Sequence, residues 1–293
     1  MAKISAKMEN ALEKYLAEDL GAGDLTSEAL FGKESGTAEM LAKSDCIIAG
    51  LEYAKAIFNK LGTTSDILAK DGEFVRKGTV VMRIFGEIKS LLAGERTSLN
   101  IVGRMSGIAT ATRRLVDICS KTNSKIQIAG TRKTTPGFRD FEKEAIAIGG
   151  GFTHRYGLYD GILIKDNHLA ALRISRNIDS FDAIKEALRL AKASRKDNPI
   201  KIEIEVTAIA EAQETARLSP DEIMLDNFPA PEARKAFDTI KKINPKILVE
   251  VSGGITESNI ADYAFADRIS LGALTHSVKS ADFSLEITDA RKN

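Results

Sequence analysis

Residues 200–254 read IKIEIEVTAIAEAQETARLSPDEIMLDNFPAPEARKAFDTIKKINPKILVEVSGG, and two kinds of pattern alternate in them. The runs IKIEIEV, EIMLDNF and KILVEVSGG are short and rich in Ile, Val and Leu, which is typical of buried strands. The segment APEARKAFDTIKKI is amphipathic at helical spacing. Strands that alternate with helices in this way indicate a parallel sheet with helical crossover connections.

The same alternation extends outward in both directions. Further strand-like runs are KIQIAGT (125–131), GILIKD (161–166) and DRISLGA (267–273), and a second amphipathic helix is FDAIKEALRLAKAS (181–194). Nearly every run ends in residues that can do chemistry. In a βα barrel those ends form one ring, whereas an open doubly wound sheet brings together only the ends beside its switch point. The pattern favours the barrel.

The chain before residue 124 has a different texture. Residues 4–20 carry apolar side chains at helical spacing and stop at GAGD, and strand-like runs at 38–50 and 72–86 flank a helical segment at 51–62. This predicts a small α+β unit. A helix is predicted from about Gly94 to Cys119, in which Gly103 and Gly107 would let another backbone approach closely.

The composition is that of an ordinary globular protein, with 293 residues, 43% hydrophobic residues and a formal net charge of +1. Any anion site must therefore be local. The sequence has no long uncharged apolar run and no apolar signal core at its N-terminus, so we expect a cytoplasmic protein that binds neither membranes nor nucleic acid. Cys46 and Cys119 lie in apolar contexts without a partner at metal or redox spacing, which predicts buried thiols.

Positive side chains are concentrated between residues 130 and 170, namely Arg132, Lys133, His154, Arg155, Lys165 and His168. Cations without matching acids indicate an anion, and the arginines can bind carboxylate or phosphate through two hydrogen bonds. Lys165 also has a second interpretation, as the Schiff-base lysine of an aldolase-like barrel. We expect His154 and His168 to lie in loops, and each taken singly is more often a hydrogen-bonded structural group than a ligand.

Glycines and carboxylates complete the strand ends. VSGG and SLGALTHS either bind phosphate through exposed N–H groups or form tight turns. Glu205 and Asp226 end successive strands in apolar surroundings, where acids are costly without a cation. Magnesium diphosphate or a developing positive carbon would meet that need, and so would a lysine of a neighbouring strand.

Nine motifs, in order, resemble the quinolinate phosphoribosyltransferase family: EDLGAGDLTS, ERTSLNIVGRMSGIAT, RKTTPG, GGGFTHR, GLYDGILIKDNH, EIEV, LDNF, VSGGI and LGALTHS. The resemblance runs from about residue 18 to residue 277. It implies an α/β protein of two domains: an N-terminal α/β sandwich domain (1–108, completed by about 277–293) and an open α/β barrel of the type II phosphoribosyltransferase kind (109–276).

The resemblance also implies the reaction. Quinolinate and phosphoribosyl diphosphate, with Mg²⁺ as cofactor, give nicotinate mononucleotide, diphosphate and CO₂, a step of NAD biosynthesis. The family forms homodimers or larger assemblies of dimers, in which an arginine at the position of Arg96 enters the neighbour's site.

The implied roles fall into four groups. Catalytic residues are Lys133, Lys165, Glu205 and Asp226. Quinolinate is bound by Arg96 of the neighbour with Arg132, His154, Arg155 and Lys165. Phosphate is bound by Ser252, Gly253, Gly254, Gly272 and Ala273. Glu205 and Asp226 hold the metal indirectly, through the diphosphate or water.

Three residues depart from the family pattern: Gly130 and Thr207 stand where acids are common, and Thr153 where asparagine is common. A related group found with molybdate-transport operons also reads GTRKT, but it tends to lose the lysine and asparagine of IKDNH that are present here. Other open alternatives are a nicotinate-using phosphoribosyltransferase, a Schiff-base barrel using Lys165, and a phosphate-binding barrel without activity.

Overall fold

The computed structural model describes residues 4–195 and 200–292. The chain forms two compact units. The first contains the residues up to Arg113, Thr134–Gly150 and the residues from Leu274 onward, and the second contains Arg114–Lys133 and Gly151–Ala273. The first unit therefore draws on three separate parts of the sequence. The domain boundaries at 108/109 and 276/277 stay predictions.

The helices and strands follow one another along the whole described chain. In order they are α1 (Ala6–Leu20), α2 (Leu25–Leu30), β1 (Ser35–Ala42), β2 (Cys46–Ile47), α3 (Leu51–Lys60), β3 (Thr64–Ile67), β4 (Phe74–Val75), β5 (Val80–Glu87), α4 (Ile88–Ser120), β6 (Gln127–Gly130), α5 (Arg139–Ile148), β7 (Ile162–Ile164), α6 (Asp166–Arg176), α7 (Ser180–Arg195), β8 (Ile202–Val206), α8 (Ile209–Arg217), β9 (Glu222–Asp226), α9 (Ala230–Ile243), β10 (Leu248–Ser252), a 3-10 helix (Ile260–Tyr263), β11 (Arg268–Leu271), α10 (Ala273–His276) and β12 (Phe283–Arg291).

The first unit is built on a four-stranded antiparallel sheet in the order β12-β1-β5-β3. Alternate residues of β1 are buried, as expected for a sheet with one covered face. Its core combines Met40 and Met82 of the sheet with Phe58 of α3 and with Leu91 and Val102 of α4. The unit is thus a helix layer on a sheet, as the sequence predicted.

The second unit is built on a six-stranded parallel sheet in the order β6-β11-β10-β9-β8-β7. All six strand-like runs of the sequence form these strands, so that prediction is confirmed. β6 and β7 do not pair with each other in the described residues, which leaves the sheet open. Every residue of the interior strand β8 is buried, because helices and inward side chains cover both of its faces.

Helix α4 starts six residues before the predicted position, at Ile88, and ends near it, at Ser120. The two glycines at its middle act as predicted. A Cβ on Gly103 would lie 2.8 Å from the carbonyl oxygen of Ala281, and a Cβ on Gly107 would come closer still to that of Lys279. Among the described residues, no helix combines the length and the apolar character that a membrane crossing requires.

Both cysteines are buried free thiols, which confirms the prediction. Burial raises the pKa of Cys119 to about 11, and burial together with the charge of Asp45 raises the pKa of Cys46 to about 11. Neither thiol is therefore a nucleophile near neutral pH.

Candidate active site

A cavity of about 540 Å³ lies at the carboxyl ends of the parallel strands of the second unit. It is lined by Gly130, Thr131, Arg132 and Lys133 at β6, by His154 and Arg155, by Leu163, Lys165 and Asp166 at β7, by Glu205 at β8, by Met224, Asp226 and Asn227 at β9, by Glu250, Ser252, Gly253 and Gly254 at β10, and by Ser270 at β11. The strand ends therefore meet at one cavity, as the barrel interpretation predicted.

Strand geometry explains why these side chains converge. Successive side chains point to opposite faces, so residues two apart share a face. Met224 and Asp226 of β9 line the cavity in this way, and so do Glu250 and Ser252 of β10. Since parallel strands end at the same edge of the sheet, their last inward side chains surround one space.

Basic side chains are concentrated in the lining of the cavity. Arg132, Lys133, His154, Arg155 and Lys165 all line it. Burial lowers the pKa of Arg155, and the positive charge of Arg132 lowers it further. Two guanidinium groups that repel each other at a partly buried site are stabilised when an anion binds between them.

The side chain of Lys165 forms an ion pair with Glu205 across the neighbouring strands β7 and β8. The sequence had left open that a lysine of a neighbouring strand accounts for Glu205, and Lys165 is that lysine.

His168 does not line the cavity and does not lie in a loop. It belongs to the first turn of α6, where its Nδ1 accepts a hydrogen bond from the amide of Lys165 at 2.9 Å. Its role is therefore to cap the helix that follows Lys165.

Asp226 is held by its neighbour Asn227, whose side-chain amide donates to Asp226 Oδ2 at 2.8 Å. Asn227 has a left-handed backbone, with φ of 58°. Its backbone N–H donates to the carbonyl oxygen of Ser252 at 2.8 Å. A Cβ on Gly253 would overlap Oδ1 of Asn227. Only glycine therefore fits there, and the contact joins the ends of β9 and β10. Asn227 stands beside Asp226 at a strand end that the sequence predicted, but no role in the site was assigned to it.

The predicted phosphate-binding residues divide into two groups. Ser252, Gly253 and Gly254 line the cavity, with φ of 86° at Gly253 and 64° at Gly254. Gly272 and Ala273 are not among its lining residues. They lie where β11 ends and the short helix α10 begins. The residue of β11 that lines the cavity is Ser270.

Arg96 is also absent from the cavity lining of its own chain. It belongs to α4 of the first unit, its side chain is 63% exposed, and its ion pair with the adjacent Glu95 is long at 3.9 Å.

Of the three residues that depart from the family pattern, Gly130 lines the cavity. Thr207 does not; its hydroxyl and amide donate to Glu211.

His154, which the sequence predicted, belongs to a cluster whose other members the sequence did not identify: Glu203, Glu222, Glu250 and Arg268. His154 and Glu250 also line the cavity. His154 Nε2 lies 3.2 Å from Glu250 Oε2 and 3.4 Å from Glu203 Oε2. Arg268 Nη1 lies 2.6 Å from Glu222 and 3.1 Å from Glu250. The histidine and the three glutamates could in principle ligate a metal. The guanidinium already lies between two of the carboxylates, however, and supplies the cation there.

Two family models match the chain. The quinolinate phosphoribosyl transferase N-terminal domain matches residues 24–106, and the quinolinate phosphoribosyl transferase C-terminal domain matches residues 108–286.

Known proteins resemble the chain over nearly its whole length. It is 41% identical to a probable nicotinate-nucleotide pyrophosphorylase (carboxylating) of Bacillus subtilis strain 168, over 96% of this chain and 94% of that protein. It is 34% identical to the nicotinate-nucleotide pyrophosphorylase (carboxylating) of Rattus norvegicus, over 96% and 91% of the two chains. The crystal structure of NadC from Streptococcus pyogenes superposes with a TM-score of 0.87 at 32% identity, covering 99% of each chain.

Proposed function

Because the chain belongs to the quinolinate phosphoribosyltransferase family, we propose that its cavity transfers the phosphoribosyl group of phosphoribosyl diphosphate to quinolinate and releases CO₂. The products are nicotinate mononucleotide, diphosphate and CO₂, which makes the reaction a step of NAD biosynthesis. The enzyme is a pentosyltransferase.

The cations of the cavity suit quinolinate, which carries two adjacent carboxylates. Arg132 and Arg155 repel each other in the free site, and a dianion between them would remove that repulsion. We assign the quinolinate carboxylates to these two guanidinium groups, and His154 and Lys165 line the same cavity. A monocarboxylate such as nicotinate would leave part of this charge uncompensated.

Phosphoribosyl diphosphate has a terminal sugar phosphate and a diphosphate. Ser252, Gly253 and Gly254 are placed to bind the sugar phosphate, because the positive-φ turn at β10 presents backbone N–H groups without a Cβ in the way. Gly272 and Ala273 extend this assignment to the end of β11. Lys133 follows β6 and would bind the diphosphate as a point charge.

The carboxylates of Glu205 and Asp226 offer hard oxygen donors at the cavity wall, which is the ligand type that Mg²⁺ prefers. Since Glu205 already holds Lys165, we propose that these two acids hold the ion through water or the diphosphate. When bound, Mg²⁺ would compensate the charge that develops on the departing diphosphate.

The chain's own residues then account for the chemistry. As the C–O bond to diphosphate breaks, positive charge develops at the anomeric carbon, and the fixed carboxylates of Glu205 and Asp226 stabilise it more in the transition state than in the ground state. The ring nitrogen of quinolinate donates its electron pair to that carbon. Loss of CO₂ from the adjacent position leaves an electron pair that the positive ring nitrogen stabilises until a proton replaces the carboxylate. Arg132 and Arg155 hold the ring in place for both steps.

Lys165 forms an ion pair with the carboxylate of Glu205, which does not favour the Schiff-base alternative.

We further propose that two copies of the chain form a homodimer and that Arg96 of each completes the cavity of its neighbour. The exposure of this side chain and its absence from its own chain's cavity lining support that assignment.

The observation that carries the proposal is the convergence of four arginine and lysine side chains, one histidine and two strand-end acids on one cavity in a chain of this family. We predict release of labelled CO₂ from quinolinate that depends on phosphoribosyl diphosphate and Mg²⁺. Arg132→Ala should lower kcat/KM for quinolinate by at least about 100-fold, because a charge-assisted bidentate contact is lost.

The control for this experiment is Arg234→Ala, which removes an exposed arginine of α9 that pairs with Asp238 on its own helix and lies over the ring of Phe265, outside the cavity lining. It should retain wild-type kcat/KM. Efficient turnover of nicotinate in place of quinolinate would show that the acceptor is wrong. Full activity of Arg132→Ala would show that the site assignment is wrong.

A further inference from the structure

Both ring nitrogens of His154 face other groups of the protein. Nε2 faces the carboxylates of Glu203 and Glu250, and Nδ1 accepts a hydrogen bond from the amide of Arg155 at 2.8 Å. The ring therefore links two buried acids to the backbone of Arg155, which the proposed function places on quinolinate.

The backbone at His154 is strained. Its φ of 52° lies in the left-handed region, which costs a residue with a Cβ roughly 1 kcal/mol. Histidine tolerates this conformation when its side chain bonds locally to the main chain, and the hydrogen bond from Arg155 is such a contact. The turn that directs Arg155 into the cavity thus depends on the orientation of the His154 ring.

Packing alone does not fix that ring. His154 and Arg155 line the 540 Å³ cavity, and both also line a second cavity of about 190 Å³ in the same unit. The second cavity includes Glu203 and Arg268 and lies towards the amino ends of the strands. A ring with space on two sides needs polar contacts to hold it.

The positions of the protons follow from these contacts. Burial lowers the pKa of His154, and the two carboxylates raise it by more than burial lowers it. A second ring proton would go to Nδ1, however, where it would break the hydrogen bond from Arg155. That hydrogen bond opposes the second proton and directs the ring's remaining proton to Nε2. Burial and the charge of Glu250 raise the pKa of Glu203 to about 7.

We propose that Glu203 and Glu250 are positioning residues, which hold His154 with Nε2–H directed inward and Nδ1 directed at the amide of Arg155, and thereby set the direction of Arg155 for the acceptor carboxylates. The carboxylates of Glu203 and Glu250 contact the ring, whereas Arg268 and Glu222 hold the other side of the cluster.

Nitrogen NMR of the intact protein with ¹⁵N-labelled histidine tests the first half of the proposal. The chain has three histidines, and a His154→Gln variant identifies the signal of interest. At about pH 7, we expect the wild-type His154 to carry a proton on Nε2 and none on Nδ1. A doubly protonated ring, or a proton on Nδ1 alone, would overturn the assignment.

Kinetics of Glu203→Gln and Glu250→Gln test the second half. Each should raise KM for quinolinate between about tenfold and 100-fold, because a misdirected Arg155 binds the acceptor poorly. KM for phosphoribosyl diphosphate should stay unchanged. In the same variants the backbone amide signal of Arg155 should move, because its acceptor has turned.

Glu222→Gln is the matched control. It removes an acid of the same cluster that pairs with Arg268, and it should leave the Arg155 amide signal and KM for quinolinate unchanged. Equal effects of all three substitutions, or no effect of Glu203→Gln and Glu250→Gln, would overturn the proposal. If the protein does not convert quinolinate at all, the proposed function fails, and the two NMR measurements still decide the positioning role.

Discussion

At the scale of single residues, Gly253 shows how one missing side chain shapes the cavity. Its φ of 86° lies in the left-handed region, and a Cβ there would overlap Oδ1 of Asn227. Gly254 has a similar φ of 64°, but a Cβ on it would meet open space. Substituting each glycine in turn therefore distinguishes two effects: alanine at Gly254 adds backbone strain alone, whereas alanine at Gly253 adds both strain and steric overlap.

We predict that Gly253→Ala raises KM for phosphoribosyl diphosphate by about tenfold or more, because Asn227 or the turn must move. Gly254→Ala carries only the strain of a left-handed alanine, about 1–2 kcal/mol, and should change KM less than threefold, a small effect on this scale. Steady-state kinetics measure KM, and urea unfolding measures the loss in the free energy of unfolding that the strain causes. Equal KM values for the two variants would refute the role of the Asn227 contact.

Glu203 gives a pH dependence of stability. Burial, the charge of Glu250 and the more distant Glu222 raise its pKa, His154 lowers it, and the result is about 7. An acid whose pKa is higher in the folded chain than in the unfolded chain binds its proton more tightly when folded. Its contribution to stability is complete below the unfolded value of about 4.3 and is lost as the pH rises through 7.

We therefore expect the free energy of unfolding to fall more steeply between about pH 4 and pH 7 in the wild type than in Glu203→Gln. Urea unfolding at a series of pH values measures both slopes. Glu222→Gln, which keeps Glu203, should retain most of the wild-type slope. Parallel curves for the wild type and Glu203→Gln would contradict the raised pKa.

At the scale of elements, α4 depends on its two central glycines. Gly103 and Gly107 lie against the backbone at Ala281 and Lys279, just before β12. Alanine has the higher intrinsic helix propensity, by about 1 kcal/mol. Here the contact outweighs propensity, since the carbonyl oxygen of Lys279 occupies the space that a methyl group would need.

We predict that Gly107→Ala destabilises the protein by about 1–3 kcal/mol, the usual cost of overpacking. The control is Asp117→Ala at an exposed position of the same helix. It should leave the stability unchanged or raise it, because only the higher helix propensity of alanine acts there. Thermal unfolding of both variants measures the difference. A Gly107→Ala protein more stable than the wild type would mean that the backbone approach is not tight.

The elements that were predicted from sequence are those with a strong pattern. The runs rich in Ile, Val and Leu gave the six parallel strands, and α9 begins and ends as its amphipathic pattern indicated. Helix α6 was missed because GILIKDNH was interpreted as a strand followed by a loop. Its start depends on a hydrogen bond between His168 and Lys165, a contact that hydrophobic periodicity does not report.

The site was predictable where chemistry lies at strand ends and less so within strands. Glu205 and Asp226 stood out at the ends of their runs. Glu203 lies two residues before Glu205 on the same face of β8, so period-two alternation could have identified it. Its contact with His154 could not be predicted, since it depends on how a loop residue returns to the sheet.

At the scale of the whole molecule, the proposed exchange of Arg96 between two copies has a direct test. Arg96→Ala and Arg132→Ala should each be nearly inactive alone. After mixing and subunit exchange, half of the dimers are mixed, and each mixed dimer carries one intact site and one doubly altered site. We therefore expect recovery of about a quarter of wild-type activity. No recovery in samples that contain mixed dimers would show that each chain uses its own Arg96.

β12 is the last strand of the described residues, and it pairs with β1 from Ser35 to Ala42. β1 also pairs with β5 on its other side. During translation the ribosome releases β1 and β5 long before β12, so one edge of β1 stays without its hydrogen-bonding neighbour until residues 283–291 have been made. The unit that leaves the ribosome first is therefore finished last, and a nascent chain stopped before Phe283 presents an open strand edge on which other chains can aggregate.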